Sequence, residues 1–361
     1  MTIKGIRGLV ATAIAASLVL VWCSAPLRAA APEGDTVLLR LATVEDSLNP
    51  TGVQPGEAAF VRALGEASGG KIDVAVTTLY DSGAAEAESE LVRAIASGAV
   101  DGGWPASRAF AAAGIPGIEA LDAPMTITSV AAQKALVSGP IAEHVLSELA
   151  GSGIVGLGLM VGPLRRPFAT APLLGADAWR GVRFRVLDSR VEADAIRSFG
   201  AAPVKSGLEW IDQTRASRLD GGDFDIPQFW AGGERSTLEY VTANVVLWPM
   251  MSVLSLSQKR FDALSEAQRG WVRDAARQAV LASGAANYDE TEYVKVLCQR
   301  GVRFLNASTE QIAQLRHRLA PVTARLAGSG AARRLLGEIR ALAARQPGPD
   351  VPRIPAQCRT L

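Results

Sequence analysis

The chain has 361 residues, of which 48% are hydrophobic and 20% are charged. This balance favours one large domain or two medium ones and argues against a disordered chain. The 37 Lys and Arg residues nearly equal the 36 Asp and Glu residues, so there is no overall basic field and nucleic acid is not an expected partner. With three Cys and two His, zinc clusters are not expected, and we predict neither a metal site nor a cofactor.

The first residues have the pattern of a secretory signal peptide. Lys4 and Arg7 give a positive start, residues 9–21 form an uncharged apolar run, and three alanines end at Ala31. The run is shorter than the about 20 residues that a membrane-spanning helix needs. We therefore predict a signal peptide over residues 1–31 and a periplasmic protein, with an uncleaved N-terminal anchor as the alternative.

Two cysteines, Cys298 and Cys358, remain after removal of the predicted signal peptide. An exported protein matures in an oxidising compartment, where disulfides persist. The two residues either form a disulfide that ties the C-terminal tail to the body or remain separate thiols, and the sequence leaves both open.

Strand-like and helix-like patterns alternate along the rest of the chain. The strand patterns cover residues 36–44, 72–76, 100–102, 154–159, 182–186 and 244–256. The helix patterns cover residues 58–64, 84–96, 129–149, 190–199, 208–216, 265–300 and 309–344. This alternation predicts an α/β fold with largely parallel sheets and helices on both faces. Two such series indicate two lobes, with a ligand cleft near the carboxyl ends of the strands.

The sequence lacks the motifs of common enzymes. No Gly-x-Ser-x-Gly elbow and no Gly-x-x-x-x-Gly-Lys-Ser/Thr loop occurs. His144 and His317 lie in helix patterns beside charged residues, which is typical of a solvated helix surface. We therefore predict that the protein is not an enzyme.

Two arginines are better candidates for a binding site. Arg166 follows the strand pattern that ends the first series, and Arg185 lies within a strand pattern on the same face as Arg183. A guanidinium near a sheet end fits a carboxylate through two parallel hydrogen bonds, so such a site would hold an organic acid. From the residues alone, the alternative is that both arginines are surface residues or pair with Asp and Glu.

Seven short segments are distinctive in their order and spacing: residues 38–43, 94–101, 120–125, 166–168, 179–186, 199–203 and 219–221. Together they make residues 36–320 resemble the periplasmic solute-binding proteins of tripartite ATP-independent periplasmic (TRAP) transporters, of the dicarboxylate-binding DctP type. The resemblance implies a two-lobed periplasmic binding protein fold with a long helix spanning both lobes. It also implies capture of an organic acid, a mono- or dicarboxylate, between the lobes and its delivery to TRAP membrane subunits.

The expected division of the chain places residues 36–163 and 251–290 in lobe I, residues 164–250 and 291–345 in lobe II, and residues 346–361 in a C-terminal tail. By the same resemblance, Arg185 anchors the ligand carboxylate and Arg166 assists. The family carries an asparagine where this chain has Phe224, which leaves the ligand's identity open. Three further residues, Trp104, Trp230 and Trp248, fall where family members line the cleft, so a bulkier or aromatic acid would fit, although each tryptophan is equally typical of ordinary core.

Three other interpretations remain open at this point. The same lobes would serve in an extracytoplasmic ligand sensor. The chain would otherwise be a secreted enzyme of unknown class, or a diverged scaffold that has lost its ligand.

Overall fold

The computed structural model describes residues 36–45, 55–328 and 330–359. The predicted signal peptide, residues 1–31, lies outside the described residues. The described strands form two sheets, and we name the two parts of the molecule built on them the first lobe and the second lobe.

The first sheet has five strands: β1 (Val37–Ala42), β2 (Ile72–Thr77), β3 (Gly102–Gly103), β4 (Ile154–Met160) and β11 (Ser252–Ser257). Their spatial order is β2-β1-β3-β11-β4, and β11 alone runs antiparallel to its neighbours. In β1, Leu39 and Leu41 are buried while Arg40 is exposed, as the alternation of a strand requires. Gly103 lies so close to β1 that a Cβ there would collide with the Ala42 carbonyl oxygen.

The second sheet has seven strands: β5 (Leu164–Ala169), β6 (Arg183–Val186), β7 (Ala202–Lys205), β8 (Gly221–Phe224), β9 (Tyr240–Thr242), β10 (Trp248–Pro249) and β12 (Arg303–Leu305). The order is β12-β9-β5-β8-β6-β7, with β10 paired to β5. β5 runs antiparallel to β8 and β9, and β6, β7 and β8 are mutually parallel. The prediction of largely parallel sheets in an α/β fold is therefore confirmed.

Fourteen helices accompany the sheets in the described part of the chain: α1 (Gly56–Ser68), α2 (Ala87–Ser97), α3 (Ala109–Ala112), α4 (Val130–Val137), α5 (Pro140–Ser147), α6 (Arg190–Ser198), α7 (Trp210–Arg215), α8 (Ile226–Gly232), α9 (Gln258–Ala263), α10 (Glu266–Ala285), α11 (Thr291–Gln299), α12 (Thr309–Arg318), α13 (Ala320–Leu326) and α14 (Gly330–Ala343). Short 3₁₀ turns include Tyr80–Gly83 and Pro116–Asp122. In the described residues, no helix is both long and apolar enough to span a bilayer.

Three predicted helices are divided in the structure. The prediction for residues 129–149 is interrupted at Pro140, which starts α5 because proline lacks an N–H and holds Gly139 in an extended conformation. The prediction for residues 309–344 becomes α12, α13 and α14, and Pro321 lies in the first turn of α13.

The predicted long helix of residues 265–300 is also two helices. α10 begins with a capping box of Ser265 and Gln268 and ends at Ala285. α11 begins at Thr291, whose N–H donates a hydrogen bond to the Asp289 carboxylate. α10 packs on α1 and β4 of the first lobe, whereas α11 packs on α8 of the second. This stretch passes from one lobe to the other, but not as one continuous helix.

The end of the chain returns to both lobes. α14 packs against α4, α5 and the Pro116–Asp122 turn, so this helix belongs with the first lobe and not with the second as predicted. Its buried face of Leu335, Leu336, Ile339 and Leu342 joins the first-lobe core. Beyond it, Cys358 forms a disulfide with Cys298 at the end of α11, with the two Cα atoms 5.8 Å apart. This pairing confirms the disulfide alternative.

The chain crosses between the sheets at adjacent positions. Residues 161–163 lead from β4 to β5, and residues 250–251 lead from β10 to β11. The Met250 N–H donates to the Pro163 carbonyl oxygen at 2.9 Å, which ties these two crossings together. Each crossing leads directly into a strand that runs antiparallel to its neighbours: β5 after the first crossing and β11 after the second.

Candidate functional site

Arg185 is buried in β6 and has no acidic partner among the described residues. Only 5% of its surface is exposed, and its Nε donates to the Ser206 carbonyl oxygen at 3.0 Å. The guanidinium lies 5.2 Å from the centre of the Phe224 ring, and Nη1 is buried without a hydrogen-bond partner. Burial lowers the pKa of Arg185 to about 10. A buried cation with a free donor is costly, so this position is suited to receive an anion.

The other buried arginines of the described chain each have an acid. Arg108, next to α3, bonds Glu88 of α2 at 2.7 Å. Arg165 bonds the Asp223 carboxylate through Nε at 2.5 Å and the Asp223 carbonyl through Nη2 at 2.6 Å. Arg166 bonds Glu290 at 2.8 Å. Of the four, Arg185 alone has no acidic partner within 4 Å.

Arg185 lies in a group of charged residues, all buried except the half-buried Glu45, that joins the two lobes. We name it the interlobe charge cluster, and its members are Glu45, Glu88, Arg108 and Asp122 from the first lobe with Arg165, Arg185, Glu192, Asp223 and Asp225 from the second. One direct link between the lobes is Arg108 Nε to Glu192 Oε1, at 3.7 Å. Acids outnumber arginines in this cluster.

Burial changes the ionisation of the acids in the interlobe charge cluster. It raises the pKa of Glu192 to about 8, with the Asp223 charge adding to the shift. It also raises the pKa of Glu45 to about 7, with Glu88 and Asp225 adding, and that of Asp122 to about 7, against the hydrogen bond from Ser107. These carboxyl groups are therefore partly or largely protonated near neutral pH.

Arg166, the second arginine named from the sequence, is fully engaged within the protein. Besides Glu290, its guanidinium donates to the carbonyl oxygens of Ala243 at 3.0 Å, Leu164 at 3.3 Å and Asp350 at 3.0 Å. These partners belong to the start of β5, the end of β9, the segment before α11 and the C-terminal tail. The side chain is placed to fasten these segments together.

The aromatic residues named from the sequence lie in different places. Phe224 is buried, flanks Arg185 and packs on Trp210 with ring centres 4.3 Å apart. The Trp248 Nε1–H donates to Asp223 at 3.0 Å, which brings this side chain to the interlobe charge cluster. Trp104 packs on Phe60 in the first-lobe core, and Trp230 is 39% exposed against Tyr293.

Several members of the interlobe charge cluster were not predicted from the sequence. Arg165 precedes Arg166 and Asp223 precedes Phe224. The signal that could have identified both is their position in a strand, beside a residue already named. Glu192 follows Ser189 at the spacing of a helix start, and the Ser189 side chain does cap α6 at the Glu192 N–H. The Glu192 carboxylate, however, has neither oxygen hydrogen-bonded. Among the described residues no group of His, Cys, Asp and Glu has the arrangement of a metal site.

The sequence profile of the bacterial extracellular solute-binding proteins of family 7 matches residues 51–329, most of the chain. The chain belongs to this family. A curated relative, the C4-dicarboxylate-binding periplasmic protein DctP of Rhodobacter capsulatus, is 24% identical over 172 residues, which are 48% of this chain and 51% of the relative. The chain thus spans about half the length of that curated relative.

Solved structures of TRAP solute-binding proteins and of a sugar acid binding protein share the fold. The sugar acid binding protein DctPAm of Advenella mimigardefordensis, in complex with galactonate, has a TM-score of 0.73 at 19% identity, covering 85% of this chain and 98% of that one. A TRAP solute-binding protein of Sulfitobacter sp. NAS-14.1 with galacturonate has a TM-score of 0.72 at 18% identity, covering 84% and 99%. One of Sulfurospirillum deleyianum with succinate has a TM-score of 0.73 at 16% identity, covering 86% and 100%. The predicted two-lobed binding-protein fold is confirmed.

Proposed function

We propose that this family 7 protein is the periplasmic solute-binding component of a TRAP transporter. It captures a small organic acid between its lobes and presents the loaded form to the transporter's membrane subunits. The predicted signal peptide over residues 1–31 would export it, and it carries out no chemical conversion of its ligand. The similar structures described above hold galactonate, galacturonate and succinate, and all three of these ligands are organic acids.

One observation supports the carboxylate site above all: the buried Arg185 has an unpartnered Nη1 and no acid of its own. A ligand carboxylate would accept hydrogen bonds from this guanidinium and remove the cost of an unpaired buried charge. Phe224 and the Ser206 carbonyl oxygen hold the guanidinium in place beforehand. Such preorganisation reduces the ordering that binding would otherwise require.

The proposal assigns different roles to the residues named from the sequence. Arg185 contacts the ligand. Phe224 borders the site by packing on Arg185, and Trp248 borders it by its hydrogen bond to Asp223. Arg166 acts in the connection between the lobes, because four of the five N–H donors of its guanidinium already bond the protein. Trp104 supports the first-lobe side from within the core.

The test compares Arg185→Met with Arg183→Met in the mature protein. Arg183 lies two residues earlier in β6, but it is partly exposed and already paired with Asp220 at 2.6 Å. Calorimetry against a panel of organic acids should show that Arg185→Met weakens the binding free energy by about 2–5 kcal/mol, as for other buried charge pairs. Arg183→Met should bind as the unchanged protein does. Equal binding by Arg185→Met and the unchanged protein would falsify the proposal.

A further inference from the structure

Glu192 presents an unsatisfied carboxylate to the interlobe charge cluster. Its side chain is 1% exposed, and neither Oε1 nor Oε2 has a hydrogen-bond partner. Its nearest cation is Arg108, which already bonds Glu88 at 2.7 Å and stands 3.7 Å from Glu192. Asp223 Oδ1 of the same cluster is likewise buried without a partner. Two acids of the second lobe therefore offer unused acceptors.

Buried acceptors without donors are costly, so something with donor groups is expected to fill this place. A second carboxylate is a poor candidate, because it would need a second free cation. Arg108, Arg165 and Arg166 are each paired with an acid, and Arg185 is taken by the first carboxylate. A plain dicarboxylate would therefore leave its second charge without a cationic partner among these arginines.

We propose that the ligand is a carboxylic acid that also carries a hydrogen-bond donor, a hydroxyl or a protonated amine, and that Glu192 accepts this donor. The inference rests on the proposed function, since Arg185 holds the carboxylate. It narrows the ligand class to hydroxy or amino acids and rejects unsubstituted mono- and dicarboxylates. Both donor types satisfy the same acceptors, and they differ in whether Glu192 must carry a charge.

The raised pKa of Glu192 agrees with this arrangement. Without a donor opposite it, burial and the Asp223 charge favour the protonated form of Glu192. A bound hydroxyl would hydrogen-bond either form, whereas a bound ammonium would favour the ionised form.

Matched ligands test the inference. Within each of three sets, the acids differ only in the donor on the carbon next to a carboxylate: propanoate, lactate and alanine; succinate, malate and aspartate; hexanoate, 2-hydroxyhexanoate and norleucine. In at least one set, calorimetry should show a donor-bearing member binding about tenfold tighter or more than the unsubstituted acid, since a site built for a donor rejects the analogue that lacks it. Glu192→Met, which keeps the length of the side chain without its acceptors, should remove that preference. Glu192→Gln keeps a carbonyl acceptor without the charge, so it should retain a preference for a hydroxyl and lose one for an amine.

The outcomes separate this inference from the proposed function. If Arg185 is needed for binding but the unsubstituted acids bind as tightly as their analogues in every set, only the donor inference is overturned. It is also overturned if Glu192→Met keeps the preference. If the unchanged protein binds none of the nine acids, or binds them without Arg185, both proposals fail. Mass spectrometry of the molecule released by denaturing the purified protein gives a second readout, and an acid with neither hydroxyl nor amine would contradict the inference.

Discussion

Phe224 supports Arg185 and a cluster of aromatic rings at the same time. Its ring lies under the guanidinium and within 5.8 Å, centre to centre, of both Phe168 and Phe229. Replacement by leucine removes the ring face that stabilises the cation, a contribution of about 0.5–2 kcal/mol. We expect Phe224→Leu to lower the free energy of unfolding by roughly 1–3 kcal/mol, measured by urea denaturation, and also to weaken binding of the acid.

Phe229→Leu is the matched control for this prediction. Phe229 belongs to the same aromatic cluster and is equally buried, but it is not in contact with Arg185 through its ring face. It should lose similar stability and keep ligand affinity. An equal loss of affinity in both variants would show that Phe224 acts through packing alone.

The sequence predicted Arg183 and Arg185 for one face of a strand but not their different surroundings. Arg183 meets Asp220 at the exposed end of the sheet, whereas Arg185 is covered by Ser206 and Phe224. Strand alternation places side chains on a face, but burial depends on which segments fold over that face. For the same reason, the sequence places Glu192 in the first turn of a helix but does not show that it faces Arg108. That position depends on how the first lobe packs against the second.

At the level of elements, Arg166 holds together segments that are distant in sequence. It links β5 with Glu290 before α11 and with the Asp350 carbonyl oxygen in the tail. The tail is fixed a second time, because the Asp350 carboxylate accepts from the Val130 N–H at 2.7 Å at the start of α4. The start of β5, the segment before α11 and the tail therefore share one buried guanidinium.

Arg166→Met should destabilise the protein while leaving the binding site intact. It leaves Glu290, whose side chain is only 12% exposed, without its cation, and breaking a buried pair typically costs about 3–5 kcal/mol in the free energy of unfolding. Urea denaturation should show this loss, and Arg166→Met combined with Glu290→Gln should recover part of it. Arg185→Met, by contrast, should cost little stability, because it leaves no acid behind. Arg166 would belong to the ligand site instead if Arg166→Met kept full stability and lost binding while folded.

Strands and helices with strong periodicity were predictable from the sequence. The points at which long predicted helices break were less predictable. β1, β2, β4 and β6 lie where the strand patterns of the sequence indicated. The breaks at Pro140 and Pro321 have a local signal, which is the proline itself. The apolar pattern continues across both prolines and therefore predicted one helix in each case. The break after Ala285 had no proline, and it coincides with the passage from the first lobe to the second, which is a tertiary requirement.

Across the whole molecule, the lobes also meet at an edge near residues 80–90. Asp188 of the second lobe accepts from Ser89 Oγ at 2.6 Å, and Lys205 bonds Asp188 at 2.7 Å and Glu86 at 3.1 Å. The Leu208 N–H donates to the Gly83 carbonyl oxygen at 3.0 Å. These polar contacts are partly exposed and individually weak, so they favour a closed arrangement without preventing opening.

The interlobe charge cluster should make the ligand-free protein less stable as pH rises from about 5 to 8. Glu45, Asp122 and Glu192 have folded-state pKa values of about 7, 7 and 8, well above the roughly 4 of an unfolded carboxyl. Between these values the folded state binds more protons than the unfolded state, so the free energy of unfolding falls with pH. The carboxyls with lowered pKa, such as Asp188 and Asp220, act in the opposite sense but only near and below their ordinary range.

Thermal unfolding of the ligand-free protein at a series of pH values checks this expectation. The melting temperature should be several degrees higher near pH 5 than near pH 8, and Glu192→Gln should flatten the decline because the side chain no longer ionises. Asp177→Asn is the control, since Asp177 is exposed beside Arg180 and outside the interlobe charge cluster. A bound acid with a donor for Glu192 should also reduce the decline, because it compensates the ionised carboxylate. A melting temperature that rises steadily from pH 5 to 8 would mean that the cluster is ionised and already neutralised within the protein, which would remove the need for a donor from the ligand.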